Sequence, residues 1–108
     1  MAWIVLTLNA TVEKELAALP DDMQARFQRI AAMIREFGLQ AMREPQVKHL
    51  QGSLWEMRMK GKDGISRALY VTATGQRVVV VRVFVKKTQK TPGHEIALAL
   101  KRAKEIDP

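Results

Sequence analysis

Hydrophobic and polar positions change rhythm several times along the chain. Trp3 to Leu8 is a short apolar run with β-branched residues, closed by Asn9, and predicts a strand. Behind it Val12, Leu16 and Leu19 recur at helical spacing, with Asn9 or Thr11 as N-cap, until Pro20 interrupts. Asp21 and Asp22 put acid at the start of a second helix, where it suits the dipole. Met23, Phe27, Ile30, Ile34 and Phe37 form its apolar stripe, and Gly38 fits the stop.

Residues 39–53 show no clear period, contain Pro45 and Gly52, and are expected to connect over the surface. From Leu54 the period becomes two: Trp55, Met57 and Met59 take one side, Glu56, Arg58 and Lys60 the other. Gly61-Lys62-Asp63-Gly64 makes a turn, Ile65 to Thr72 a returning strand, and Thr74-Gly75-Gln76 a second turn into Val78 to Val85, the most strongly strand-forming segment. Unbroken alternation there puts Val79, Val81, Val83 and Val85 on one side and Arg82, Phe84 and Lys86 on the other. Arg67 shares its parity with Leu69 and Val71, so only its expected cross-strand neighbours place it with the charges. Thr91 and Pro92 supply an N-cap and an N1 proline for a last helix bearing Ile96, Ala99, Leu100, Ala103 and Ile106. The order β-α-α-β-β-β-α predicts a single α+β domain over residues 1–108. Its sheet is twisted and mostly antiparallel, with helices on one face and a basic concave face opposite.

The chain has 108 residues, 47% of them hydrophobic, enough for one core. With no Cys, disulfides, thiolate zinc sites and a cysteine nucleophile are excluded, and a reducing cytoplasm is permitted without being proved. His49 and His94 lack ligand spacing, so no metal is expected. The longest apolar run, Val78 to Val85 broken by Arg82, falls far short of the roughly 18–20 residues that span a bilayer, so no membrane partner is expected. The N-terminus has no basic region ahead of its apolar stretch and does not read as a secretory signal. The glycines at 61 and 64 join two strands and make a hairpin rather than a phosphate loop.

Charge changes the picture most. Eighteen Lys and Arg against 11 Asp and Glu give +7, which points to an anionic partner. Residues 1–45 carry a net −1 and residues 91–108 balance, so the excess lies wholly in residues 46–90, where ten basic side chains face only Glu56 and Asp63. A sheet face bearing Arg58, Lys60, Arg67, Arg82 and Lys86, with Lys87 and Lys90 at its edge and Lys48 from the preceding connection, suits a phosphodiester backbone. Tyr70 and Phe84 offer stacking groups. The rival reading is a solvated face whose charges keep strand edges from pairing. His49, beside Lys48, is either a general base or an ordinary surface histidine.

Three segments resemble the RelE/ParE superfamily of toxins from type II toxin–antitoxin systems, above all its phage-type HigB branch. They are Lys48-x-Leu50-x-Gly52-x-Leu54-Trp55-Glu56-Met57-Arg58, then Ser66-Arg67-Ala68-Leu69-Tyr70, then Phe84-Val85-Lys86-Lys87-Thr88-Gln89-Lys90-Thr91-Pro92 with Glu95-Ile96 and Ala99 behind it. The resemblance covers nearly the whole chain and implies a RelE-like fold and a cytoplasmic, ribosome-dependent mRNA endonuclease. Such an enzyme uses no metal or cofactor, and a cognate antitoxin, usually with a helix-turn-helix DNA-binding domain, neutralises it. It further implies catalytic roles for Arg67, Arg58, Lys86 and Lys87 as phosphate clamps or proton-transfer groups, and RNA contacts by Lys48, Lys60, Tyr70, Arg82 and Lys90. Glu56 is either the base or the partner of an ion pair that orients Arg58 or Arg67. Where many superfamily members carry a histidine or tyrosine near the last strand or helix, this chain offers only His94. Two other functions stay open: gyrase inhibition in the ParE manner, and a non-toxic phage-derived nucleic-acid-binding protein.

Overall fold

The computed structural model describes residues 2–86 and 90–106. Strand β1 (Ile4–Thr7) leads into helix α1 (Ala10–Ala17), whose N-cap Asn9 accepts a hydrogen bond from the Val12 N–H at 3.1 Å. Helix α2 (Asp21–Phe37) buries its stripe from Met23 to Ile34, leaves Phe37 exposed, and stops at Gly38, whose φ of 87° favours glycine. Asp22, in its first turn, also accepts the Lys62 N–H at 2.8 Å, tying the helix to the turn between the next two long strands.

Strands β2 (Val47–Gln51), β3 (Leu54–Gly61), β4 (Gly64–Ala73) and β5 (Arg77–Lys86) complete a five-stranded sheet in the order β1-β5-β4-β3-β2. Strand β1 runs parallel to β5, and the other neighbours are antiparallel. The expected surface connection at 39–53 is thus corrected: it holds a single 3₁₀ turn (Leu39–Ala41) and the edge strand β2. In β2 Val47 is buried whereas Lys48, His49 and Gln51 are exposed, so its pairing rests on backbone hydrogen bonds and leaves little apolar alternation to read.

The sheet separates two cores. On one face α1 and α2 bring Val12, Met23, Phe27, Ile30, Ala31 and Ile34 against Met57, Met59, Ala68, Tyr70, Val78, Val80 and Val83. On the other, helix α3 (Gly93–Ala103) packs Ile96, Ala99 and Leu100 against Leu54, Leu69, Val71, Val79 and Val81. The expectation of all helices on one face therefore fails for α3. Leu69 and Val71 on β4 and Leu54 on β3 make half of the second face apolar as well, and burying it requires a cover. Only the part beyond the start of α3 is left for charge.

A β-bulge corrects the expected alternation of β5. Leu69 pairs with Arg82 but Tyr70 with Val80, so Val81 is an extra residue on the strand. Before the bulge Val78 and Val80 face α1 and α2; after it Val83 and Val85 do, while Val79, Val81, Arg82 and Phe84 share the α3 side. Among the described residues, no helix is long and apolar enough to cross a membrane.

Candidate functional site

Strand register brings the cations together. Arg58 on β3 is paired with Arg67 on β4, and Arg67 in turn with Phe84 on β5. One step along, Lys60 pairs with Ile65 and Ile65 with Lys86. Paired residues of adjacent strands point to one face, so Arg58, Lys60, Arg67, Phe84 and Lys86 share the α3 side beyond the helix. Lys48 on β2 pairs with Glu56 and adds a fourth strand to this surface. Lys48 and Lys60 are exposed; Arg58, Phe84 and Lys86 are half-buried. Burial, reinforced by the charges of Arg67, Arg58 and Lys48, holds the Lys86 ammonium below the ordinary lysine range.

Beside this surface lies a cleft of about 440 Å³ lined by Lys48, His49, Leu50, Arg67, Lys90, Thr91, Gly93 and Ile96. It combines side-chain cations with the first turn of α3, whose backbone N–H groups favour an anion. His49 donates through Nε2 to the Gly52 carbonyl at 2.7 Å and stands edge-on to Trp55, its cross-strand partner. His94 is 79% exposed.

Arg67 is the deepest of these cations, only 4% exposed, and burial lowers the pKa of its guanidinium. Its Nη1 forms an ion pair with Glu56, which is completely buried, and donates to the Thr91 hydroxyl at 2.9 Å. That hydroxyl donates to the other Glu56 oxygen at 2.6 Å, closing a ring of three side chains from β3, β4 and the residue before Pro92. The structure thus places Glu56 as the partner of Arg67, with no surface from which to meet substrate. Thr91 was expected to cap α3, yet Pro92 occupies the N-cap position and no side-chain cap bond forms, because the Thr91 hydroxyl is engaged in this ring.

Two expected RNA contacts lie elsewhere. Tyr70 points to the α1 and α2 side, 1% exposed, and burial pushes its phenol up to about 12; even-numbered β4 positions face that core, so it cannot stack on a base. Arg82 is taken up by two carboxylates. Its Nε and Nη2 hold Glu95 at 2.7 and 3.0 Å, and its Nη1 holds Glu15 at 2.9 Å. The Glu95 hydrogen bond, opposed by burial and aided by Glu15, raises the Arg82 pKa.

Beyond Val80, where β1 ends, the outer edge of β5 is closed by the same group. Arg102 donates to the Val81 carbonyl at 2.9 Å and Glu15 accepts the Val83 N–H at 3.1 Å, while Arg102 and Glu15 pair with each other. No spacing in the sequence signals this network, because its members lie on three elements. Lys87 lies outside the described residues. Among the described residues, no group of three or more His, Asp or Glu could hold a metal ion.

Residues 14–104 match the family described as phage derived protein Gp49-like. No curated protein matches the chain. Among solved structures, E. coli toxin RelE in the free state, a variant with two arginines replaced by alanine, superposes with a TM-score of 0.66 at 17% identity. The match covers 94% of this chain and 98% of that one. The archaeal RelE–RelB complex from Pyrococcus horikoshii gives 0.57 at 21% identity, over 79% of this chain and 96% of that one. At such identities the likeness is one of fold.

Proposed function

The chain belongs to the phage-derived Gp49-like family, and on that premise we propose that it acts as the toxin of a type II toxin–antitoxin system, cutting mRNA on the ribosome without a metal. The observation that carries this reading is the meeting of Lys48, Arg58, Arg67 and Lys86 on one sheet face. A fold shared with RelE toxins supports it, and the RelE–RelB complex supports an antitoxin as partner. The 108 residues act as one toxin domain, in the cytoplasm where ribosomes are.

In the proposed reaction the ribose 2′-oxygen attacks the adjacent phosphorus while the bond from phosphorus to the 5′-oxygen breaks, leaving a 2′,3′-cyclic phosphate and a 5′-hydroxyl. A base takes the 2′-hydroxyl proton, an acid supplies one to the 5′-oxygen, and cations steady the charge growing on the phosphoryl oxygens. Arg58 and Lys86, half-buried on the open face, bind the phosphate, with Lys48, Lys60 and Lys90 along the strand of RNA. Lys86, held below the ordinary lysine range, is suited to proton transfer. Arg67 adds positive field from beneath, and the burial of Glu56 supports its ion-pairing role over that of base.

Induction without the antitoxin should arrest growth, and primer extension on cellular mRNA should show cuts only in translated transcripts, lost with Arg58→Ala. Intact transcripts in arrested cells would rule out the nuclease; inhibited supercoiling in the same cells would favour gyrase as the target.

A further inference from the structure

Thr91 is the residue whose chemistry the fold does not otherwise use. Its hydroxyl does not cap α3, but sits between a fully buried carboxylate and a nearly buried guanidinium. We infer that Thr91 is a positioning residue for Arg67: by sharing the Glu56 carboxylate it fixes the plane in which the guanidinium faces the phosphate site. This rests on the nuclease reading above.

The geometry carries the argument. A hydroxyl has one proton and two lone pairs. Thr91 gives its proton to Glu56 Oε1, and this aims its lone pairs at Arg67 Nη1. Glu56 is left with Oε2 for the same Nη1, so that nitrogen is held by two acceptors from two directions. Without the hydroxyl, both carboxylate oxygens could turn to the guanidinium in a two-pronged pair, which rotates its plane and neutralises its charge more fully. Burial makes the arrangement rigid, since no water competes for Glu56. The ring also ties β3 and β4 to the segment leading into α3, so Arg67 is held in step with the cleft that it lines.

The test compares wild type with Thr91→Val, which keeps the shape and removes the hydroxyl, and Thr91→Ser, which restores it. In a reconstituted translation mixture Thr91→Val should lower the single-turnover rate of mRNA cleavage by about 10- to 100-fold while ribosome affinity stays within about twofold. Thr91→Ser should recover most of the rate. Independently, NMR of the arginine side chains should show the Arg67 guanidinium rotating slowly in wild type and Thr91→Ser and faster in Thr91→Val. A Thr91→Val protein that cleaves as wild type does, or whose Arg67 stays as locked as in wild type, would overturn the inference. Should wild type cleave nothing, the nuclease reading fails, and the NMR comparison still decides whether Thr91 holds Arg67.

Discussion

Arg58 and Arg67 are directly opposed on neighbouring strands, two guanidiniums on one face of the sheet. Like charges so placed repel, and Glu56, on the same face of β3, supplies the buried anion that pairs with Arg67. Glu56→Gln should therefore cost about 3–5 kcal/mol, read from urea unfolding, because it leaves a nearly buried guanidinium without its counter-charge. Adding Arg67→Met to that variant should recover much of the loss. A double variant as unstable as the single one would show that Glu56 stabilises by some other route.

Arg58 and Arg82 are both cations on meander strands, yet the structure assigns them different work. Arg58→Ala should flatten the dependence of RNA binding on salt by about one unit of slope, with stability nearly unchanged. Arg82→Ala should leave that slope alone and lower the melting temperature, since it takes from buried Glu95 its guanidinium partner and leaves Glu15 to Arg102 alone among the cations. Binding titrations at several salt concentrations, with thermal melts alongside, separate the two; equal slopes for both variants would contradict the assignment.

Lys86 lies below the ordinary lysine range, so the unfolded chain holds that proton more tightly than the folded one. Stability should accordingly rise with pH between the lowered pKa and 10.5, and at neutral pH the charged Lys86 works against the fold. Lys86→Met is expected to raise the melting temperature in low salt, with a smaller gain in high salt, and to abolish cleavage. A lower melting temperature would count against the crowding of cations around it.

Tyr70 is the single tyrosine, so its titration can be followed without ambiguity. Absorbance near 295 nm should show phenolate appearing only at about pH 12. As the folded value lies above the unfolded one of 10.0, the stabilisation is complete below pH 10 and is lost between there and 12, on the order of 2–3 kcal/mol in all. Phenolate forming near pH 10 in folded protein would show the ring to be accessible.

Local signals carried most of the architecture. The stripe of α2 as far as Ile34, the cap, which falls on Asn9 rather than Thr11, and the two hairpin turns each depend on residues a few positions apart, and each appears where its local pattern puts it. β2 escaped because an edge strand paired through its backbone needs little apolar pattern. The bulge at Val81 escaped because a run of valines reads the same with or without an inserted residue. Within the site, parity alone grouped Arg58 with Lys60. The fate of Arg82 depends on Glu15, 67 residues away, and that of Arg67 on Thr91, and neither pairing leaves a mark on local spacing. Tyr70 shares its strand parity with Ala68, and that parity, not its aromatic character, decides that it faces the α1 and α2 core.

The bulge in β5 makes one strand serve two masters. Residues before Val81 line both cores and answer to packing, whereas Arg82, Phe84 and Lys86 behind it face the carboxylates of Glu15 and Glu95 and the cationic surface. The extra residue works as a phase shifter: were Val81 paired in unbroken alternation, the downstream half would turn over, sending Val83 to the α3 side and Phe84 toward α1 and α2. The working end of the sheet can therefore be re-lined by substitution while the valines upstream are left untouched, so the scaffold and its chemistry can drift apart within a single strand.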